Sequence, residues 1–185
     1  KRSAKQKKVS GGGLQTKVEC GEVVRRCVEK CKNDTRTFAR PNRRYLSQGI
    51  YLPSVSGEAM GEILFAVDCS GSCWDDIPQF SNEVRTVHED HKPRRLHVVY
   101  FDSSVSHYES FDKDDEFHME GHGGGGTAFS PVWAYMEEHD IEPVATVFLT
   151  DLCCNDYGDD PGHPVLWVCN YEDANDPPFG EVVMM

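Results

Sequence analysis

Three apolar runs that each end on an aspartate constrain this chain more than any other feature. They are "EILFAVD" (62–68), "LHVVYFD" (96–102) and "VATVFLTD" (144–151). Strands that are apolar without alternation are buried on both faces, as in parallel sheets covered by helices. The intervening text supplies the covers. "WDDIPQFSNEVRTVHEDH" places Ile77, Phe80, Val84 and Val87 at helical spacing. "SPVWAYMEEHD" predicts a second helix with Ser130 as N-cap and Pro131 at the first helical position. "VSHYESF" alternates as an edge strand does, "VLWVCN" is a fourth buried strand, and "GEVVMM" adds a last one. The expected fold class is α/β: a mostly parallel central sheet with an antiparallel edge strand and helices on both faces.

Charge divides the chain. Residues 1–60 carry 14 Lys and Arg against 5 Asp and Glu, whereas residues 61–185 carry 5 against 26. Residues 1–13, Lys-rich and then Ser-Gly-Gly-Gly, are expected to be a flexible basic linker. Residues 14–60 are expected to form a helix over 14–33, interrupted by Gly21, followed by an extended arm that wraps the domain; residues 61–185 form the domain itself. The acidic domain repels nucleic acid and attracts cations, so nucleic-acid binding is confined to the basic arm, if it occurs. No apolar run approaches the ~18 residues of a membrane span, and the basic N-terminus is not followed by the apolar stretch of a secretory signal. The eight cysteines, with no Cys-x-x-Cys among them, then read as reduced thiols of a cytoplasmic protein. Cys27 and Cys31 share a helix face, as two small core residues do.

Open parallel sheets bind ligands at the carboxyl ends of their strands. There the sequence puts "DCSGS" (68–72), the glycine loop "GHGGGGTAF" (121–129) and "LTD" (149–151). Asp68, Ser70 and Ser72 alternate, so their side chains can turn toward one point, with Gly71 permitting the bend. Thr127 adds a hydroxyl and Asp151 a carboxylate. Together they make a set of hard oxygen donors suited to Mg2+, with Mn2+ or Ca2+ as alternatives, and a position left open for an incoming carboxylate. Taken alone, Ser72 could instead cap the following helix. The glycine loop lacks the Gly-Lys-Ser/Thr ending of a phosphate-binding loop. Asp102 either orients a ligand or water beside the ion or caps the turn "DSSV".

The order Asp-x-Ser-x-Ser, Thr, Asp resembles the metal-ion-dependent adhesion site (MIDAS) of von Willebrand factor A (VWA) domains. The stretches "RPNRRYL", "YLPS", "FAVDCSGS", "YFDSSV", "GGGGTAFSPV", "FLTD", "PVLWV" and "PPFGEVV" resemble, more closely, the VWA-like domain that follows a predicted metallopeptidase domain in bacterial and phage proteins. The resemblance implies a Rossmann-like sheet with magnesium held, directly or through water, by Asp68, Ser70, Ser72, Thr127 and Asp151. It further implies a protein partner that offers an acidic residue to the ion, and work alongside a MoxR-type AAA+ ATPase or an upstream peptidase domain. The zinc-binding His-Glu-x-x-His of such peptidases is missing: "HEDH" (88–91) is one residue short, and a surface helix end accounts for it. That makes the chain resemble the C-terminal part of a longer protein, or a stand-alone remnant.

Other clusters have simpler readings. Asp75 and Asp76 suit a helix start. Cys69 is expected to point away from the metal loop. Cys69, Cys73, Cys153 and Cys154 fall in loops near the site and could gather as a thiol cluster. His122 and His163 flank the same edge, as exposed loop histidines. Catalysis by Ser70 would need a base that no histidine is well placed to be. A metal-dependent hydrolase, or a regulatory part of a metallopeptidase, is the alternative to a binding module.

Overall fold

The computed structural model describes residues 36–41, 53–55, 61–171 and 173–185. The linker expected over 1–13 and the helix expected over 14–33 lie outside the described residues. Two short strands from the arm, β1 (Arg36–Pro41) and β2 (Pro53–Val55), pair antiparallel.

The domain is a six-stranded sheet. In chain order its elements are β3 (Glu62–Asp68), a 3-10 turn (Trp74–Asp76), α1 (Ile77–His91), β4 (Arg95–Phe101), β5 (Val105–Asp112), α2 (Ser130–Glu138), β6 (Ala145–Thr150), β7 (Val165–Cys169) and β8 (Glu181–Met184). The spatial order is β5-β4-β3-β6-β7-β8. All neighbours are parallel except β4 and β5, which are antiparallel.

The apolar runs are continuous because the sheet is covered twice. Along β3, Ile63, Phe65 and Val67 join a core with Ile77, Phe80, Val84 and Val87 of α1. Leu64 and Ala66 join a separate core with Phe129 and with Val132 and Met136 of α2. Each fully buried Val, Leu, Ile or Phe side chain among them contributes roughly 1.5–3 kcal/mol of transfer free energy. Trp167 of β7 is wholly buried, stacks on Phe148 with ring centroids 4.4 Å apart, and donates its indole N–H to the Phe179 carbonyl at 2.7 Å. That bond removes the cost of burying a lone N–H donor.

Two helix ends differ from the sequence reading. Phe129, not Ser130, is the N-cap of α2, and it makes no side-chain cap; Ser130 is the first helical residue and its hydroxyl bonds the Asp156 carboxylate instead. At α1, His88 is no surface residue. It is buried against Phe111 and Phe117, with Nε2 at 3.1 Å from the Asp112 carbonyl.

The strand order reverses between β3 and β6. The chain runs from β3 outward through β4 to β5, then returns to the other side of β3 as β6. Crevices in open α/β sheets lie at the carboxyl ends of such neighbours. Asp68 ends β3 and Asp151 directly follows β6, so both carboxylates stand at this crevice.

Two histidines make the fold sensitive to acid. His97 of β4 is held between Tyr108 Oη (2.8 Å) and Glu62 Oε2 (3.2 Å), and His163 bonds Thr146 Oγ1 (2.8 Å). Burial lowers both pKa values from the ordinary 6.5; Glu62 opposes the shift at His97, and Asp160 opposes it at His163. Their neutral forms therefore stabilise the fold above about pH 6.5, and this contribution is lost as pH falls through the depressed values. Thermal unfolding between neutral pH and about pH 5 should show a falling midpoint. The paired change His97→Gln and His163→Gln should flatten that slope.

Candidate metal centre

Asp68 is fully buried at the end of the central strand, and each of its oxygens is committed. Oδ1 accepts the Ser70 backbone N–H at 2.9 Å, and Oδ2 accepts the Thr150 hydroxyl at 2.6 Å. The first bond bends the chain into the 69–72 loop in the manner of an Asx turn. The second ties β3 to β6 across 82 residues of sequence. Thr150 Oγ1 in turn accepts the Leu152 N–H at 3.1 Å. Burial raises the Asp68 pKa against the lowering effect of the Thr150 and Ser70 bonds, and the Asp151 charge adds to the rise. Such an environment favours a neighbouring cation.

Asp151 is also buried, and its Oδ1 accepts the Cys153 N–H at 2.9 Å. Leu152, with φ of 55°, takes the left-handed conformation that turns the chain sharply after β6. Asp68, Asp151 and the buried Cys73 offer ligand atoms that all lie within 4.8 Å of one another. Among the described residues no lysine or arginine forms an ion pair with either aspartate.

The hydroxyls divide. Ser70 is buried and Ser72 exposed, and their oxygens lie 3.3 Å apart. Ser72 does not cap a helix: Cys73 is the N-cap of the 3-10 turn, without a side-chain bond. Thr127 is half-buried, and its loop is tied to both other loops. Gly71 N–H donates to the Gly125 carbonyl at 3.2 Å, and the Cys154 thiol donates to the Thr127 carbonyl at 3.0 Å. Gly71 itself does not adopt a positive φ, and an added Cβ there would meet nothing, so the bend needs no glycine at this position.

Asp102 grips the glycine loop. One oxygen accepts the Ser104 N–H (3.1 Å) and the Ser103 hydroxyl (3.3 Å), and the other accepts the Gly125 N–H (3.2 Å). Burial alone would raise its pKa, but these donors outweigh burial and hold the carboxyl below its ordinary value. The turn cap and the hold on the loop that carries Thr127 are thus made by one side chain. Gly123, Gly124 and Gly125 are where the loop requires glycine, Gly124 through its φ of 129°. Gly123 has φ of 143° and a Cβ there would come within 3.0 Å of Cys69 Cβ; at Gly125 it would come within 2.9 Å of Asp102 Oδ2.

The four loop thiols do not gather. Cys69 and Cys73 pack into the α1-side core, Cys154 packs against the α2-side core, and Cys153 is exposed. Burial pushes the Cys69 thiol up to about 11, with Asp68 and Asp102 adding to the rise and the His122 backbone opposing it. His122 packs its ring on Tyr100 and His107. His163 is not at this edge: Thr146 lies at the start of β6, so their bond places His163 at the amino end of the sheet. Asp76 accepts an amide bond from Asn170, which follows β7, and so joins the 3-10 turn to the same edge.

Thr150 is the supporting residue that the sequence alone does not mark out, and Cys73, grouped above with the loop thiols, stands instead beside Asp68 and Asp151. A buried hydroxyl one residue before a strand-end carboxylate was the available signal for Thr150. Cys73 follows the last Ser of the motif directly.

The strand-end aspartates and the glycine loop lie within a segment that matches a known family. The profile of the VWA-like domain (DUF2201) covers residues 63–185. The chain belongs to this VWA-like family. Comparison with curated proteins and with solved structures returned no match. No described helix of this VWA-like chain is long and apolar enough to cross a membrane.

Thr150→Val should cost about 1–3 kcal/mol in urea unfolding, because it strips a donor from buried Asp68 and an acceptor from the Leu152 N–H. Asp68→Asn removes a desolvated charge while keeping an oxygen for Ser70. It should leave the metal-free protein at least as stable.

Proposed function

We propose that the domain is a divalent-cation-dependent protein-binding module, in which Mg2+ at the β3–β6 crevice receives an acidic residue of a partner. Asp68, Ser70, Ser72, Thr127 and Asp151 would hold the ion, directly or through water, and Mn2+ or Ca2+ would serve by the same oxygen chemistry. The ion supplies a positive centre for the partner's carboxylate. The observation that carries this reading is the pair of buried carboxylates on adjacent strand ends with no cationic side chain paired to them among the described residues. Two desolvated negative charges without a counter-charge are costly, and a dication offsets that cost.

The surface around the crevice suits docking. Trp74, 46 % exposed, lies in the turn after the Asp-x-Ser-x-Ser loop, and Tyr171, 47 % exposed, follows β7 at the same edge. Exposed aromatic side chains of this kind are frequent anchors in protein interfaces. Ser70 hydrogen bonds Ser72 rather than an imidazole, which favours binding over nucleophilic attack. An AAA+ ATPase of the MoxR type, or a metallopeptidase domain in a longer parent protein, is the partner class we propose, on the strength of the family resemblance.

Calorimetric titration with Mg2+ should show one site, and a hundredfold excess over Kd should stabilise the fold by about 2.7 kcal/mol. Asp68→Ala and Thr127→Ala should abolish the heat, as EDTA should abolish capture of the partner; absence of both heat and thermal shift in the unaltered protein would overturn the reading. Trp74→Ala should weaken partner capture roughly tenfold or more while leaving the Mg2+ shift intact.

A further inference from the structure

The five-residue oxygen set does not include the sulfur of Cys73, which lies within 4.8 Å of a ligand oxygen of each buried carboxylate. We infer that Cys73 gives the crevice a sulfur donor, so that a thiophilic dication such as zinc binds through Asp68, Cys73 and Asp151 and displaces magnesium. This inference rests on the reading that the crevice holds a dication.

The geometry is specific. Donors in zinc sites lie about 2.0–2.3 Å from the ion. Atoms already within 4.8 Å of one another need to close by roughly an ångström to share one ion, which is within reach of side-chain rotation. The three residues come from separate points of the fold that are already fixed. Asp68 is held by Ser70 and Thr150, Asp151 by the Cys153 N–H, and Cys73 by the N-terminal end of the 3-10 turn and the α1-side core. All three are buried, so water competes weakly for the ion. Among the described residues this is the one group of three or more His, Cys, Asp or Glu side chains close enough to share a metal.

Donor chemistry sets the choice of metal. Magnesium takes oxygen ligands and keeps water, whereas zinc binds thiolate sulfur, carboxylate oxygen and imidazole. When zinc binds, the Cys73 thiol proton passes to solvent and the thiolate joins the two carboxylates. The dication is then surrounded by three negative charges rather than two. A centre with that excess no longer attracts a partner's carboxylate. Zinc bound through Cys73 therefore closes the docking site that magnesium opens.

Cobalt(II) is the probe, because sulfur ligation gives a near-ultraviolet charge-transfer band that oxygen ligation lacks. The full chain is used with Cys20→Ser, Cys27→Ser and Cys31→Ser, so that thiols outside the described residues do not contribute. One equivalent of Co2+ should produce the band, and excess Zn2+ should abolish it. Cys73→Ser and Asp68→Asn should lose it, and Cys153→Ser and Cys154→Ser should keep it. Cys73→Ser should retain the Mg2+ thermal shift. Should Cys73→Ser not fold, cadmium NMR of the chain with Cys73 intact replaces it: a resonance at the position of a sulfur-bearing site supports the inference, and one at the position of an all-oxygen site overturns it. A Mg2+ shift without any charge-transfer band, or a band unchanged by Cys73→Ser, overturns the zinc site alone. Failure of Mg2+ and Co2+ alike overturns the underlying reading as well.

Discussion

The hydrogen bond from the Thr150 hydroxyl to the Asp68 carboxylate is the contact on which the crevice depends. Parallel strands β3 and β6 are paired up to Val67 and Leu149, where the ladder ends. Beyond it the backbone groups diverge into separate loops, and side chains must carry the alignment. Thr150 does so with one oxygen, which donates to Asp68 and accepts from Leu152. The Ser70 N–H then fixes the other Asp68 oxygen and with it the course of the 69–72 loop. Both strand ends are thereby set by one four-membered network. Buried networks of this kind are strong when fully satisfied and costly when half-satisfied.

Much of this was legible in the sequence, for physical reasons. Strands buried on both faces cannot tolerate polar interruptions, so β3, β4, β6 and β7 stand out as apolar runs. The half-exposed β5 shows alternation instead. The aspartates at the strand ends were visible because a charge closing an apolar run needs a purpose. Other features depend on tertiary geometry. Ser130 resembles a cap, but the chain turns one residue earlier and spends its hydroxyl on Asp156. His163 was expected beside the site because it lies in the loop after Asp151. A parallel crossover must carry the chain back to the opposite edge before the next strand begins, and His163 sits at the end of that return. The loop thiols were indistinguishable in the text, whereas the fold sorts them between two cores and solvent.

The electrostatic setting reinforces the local chemistry. Residues 61–185 hold 26 acids and 5 Lys or Arg, so the domain carries a strongly negative field. That field concentrates cations near the crevice. It also repels acidic partners in general, and under the proposed function a dication at the crevice would be the place where an incoming carboxylate is welcome. Asp102 extends this division of labour: its oxygens accept backbone and hydroxyl donors of its own turn and of the glycine loop, and so shape the loop that carries Thr127.

The span of the Thr150–Asp68 bond has a consequence for how the protein matures. Asp68 is synthesised 82 positions before its hydroxyl partner. A nascent chain that has not yet delivered β6 contains the Asp-x-Ser-x-Ser loop but not the crevice. Long-range pairings of this sort form late, since loop closure must precede them. Under the function proposed above, ion capture would wait for β6 and would mark the moment at which a newly made molecule becomes competent.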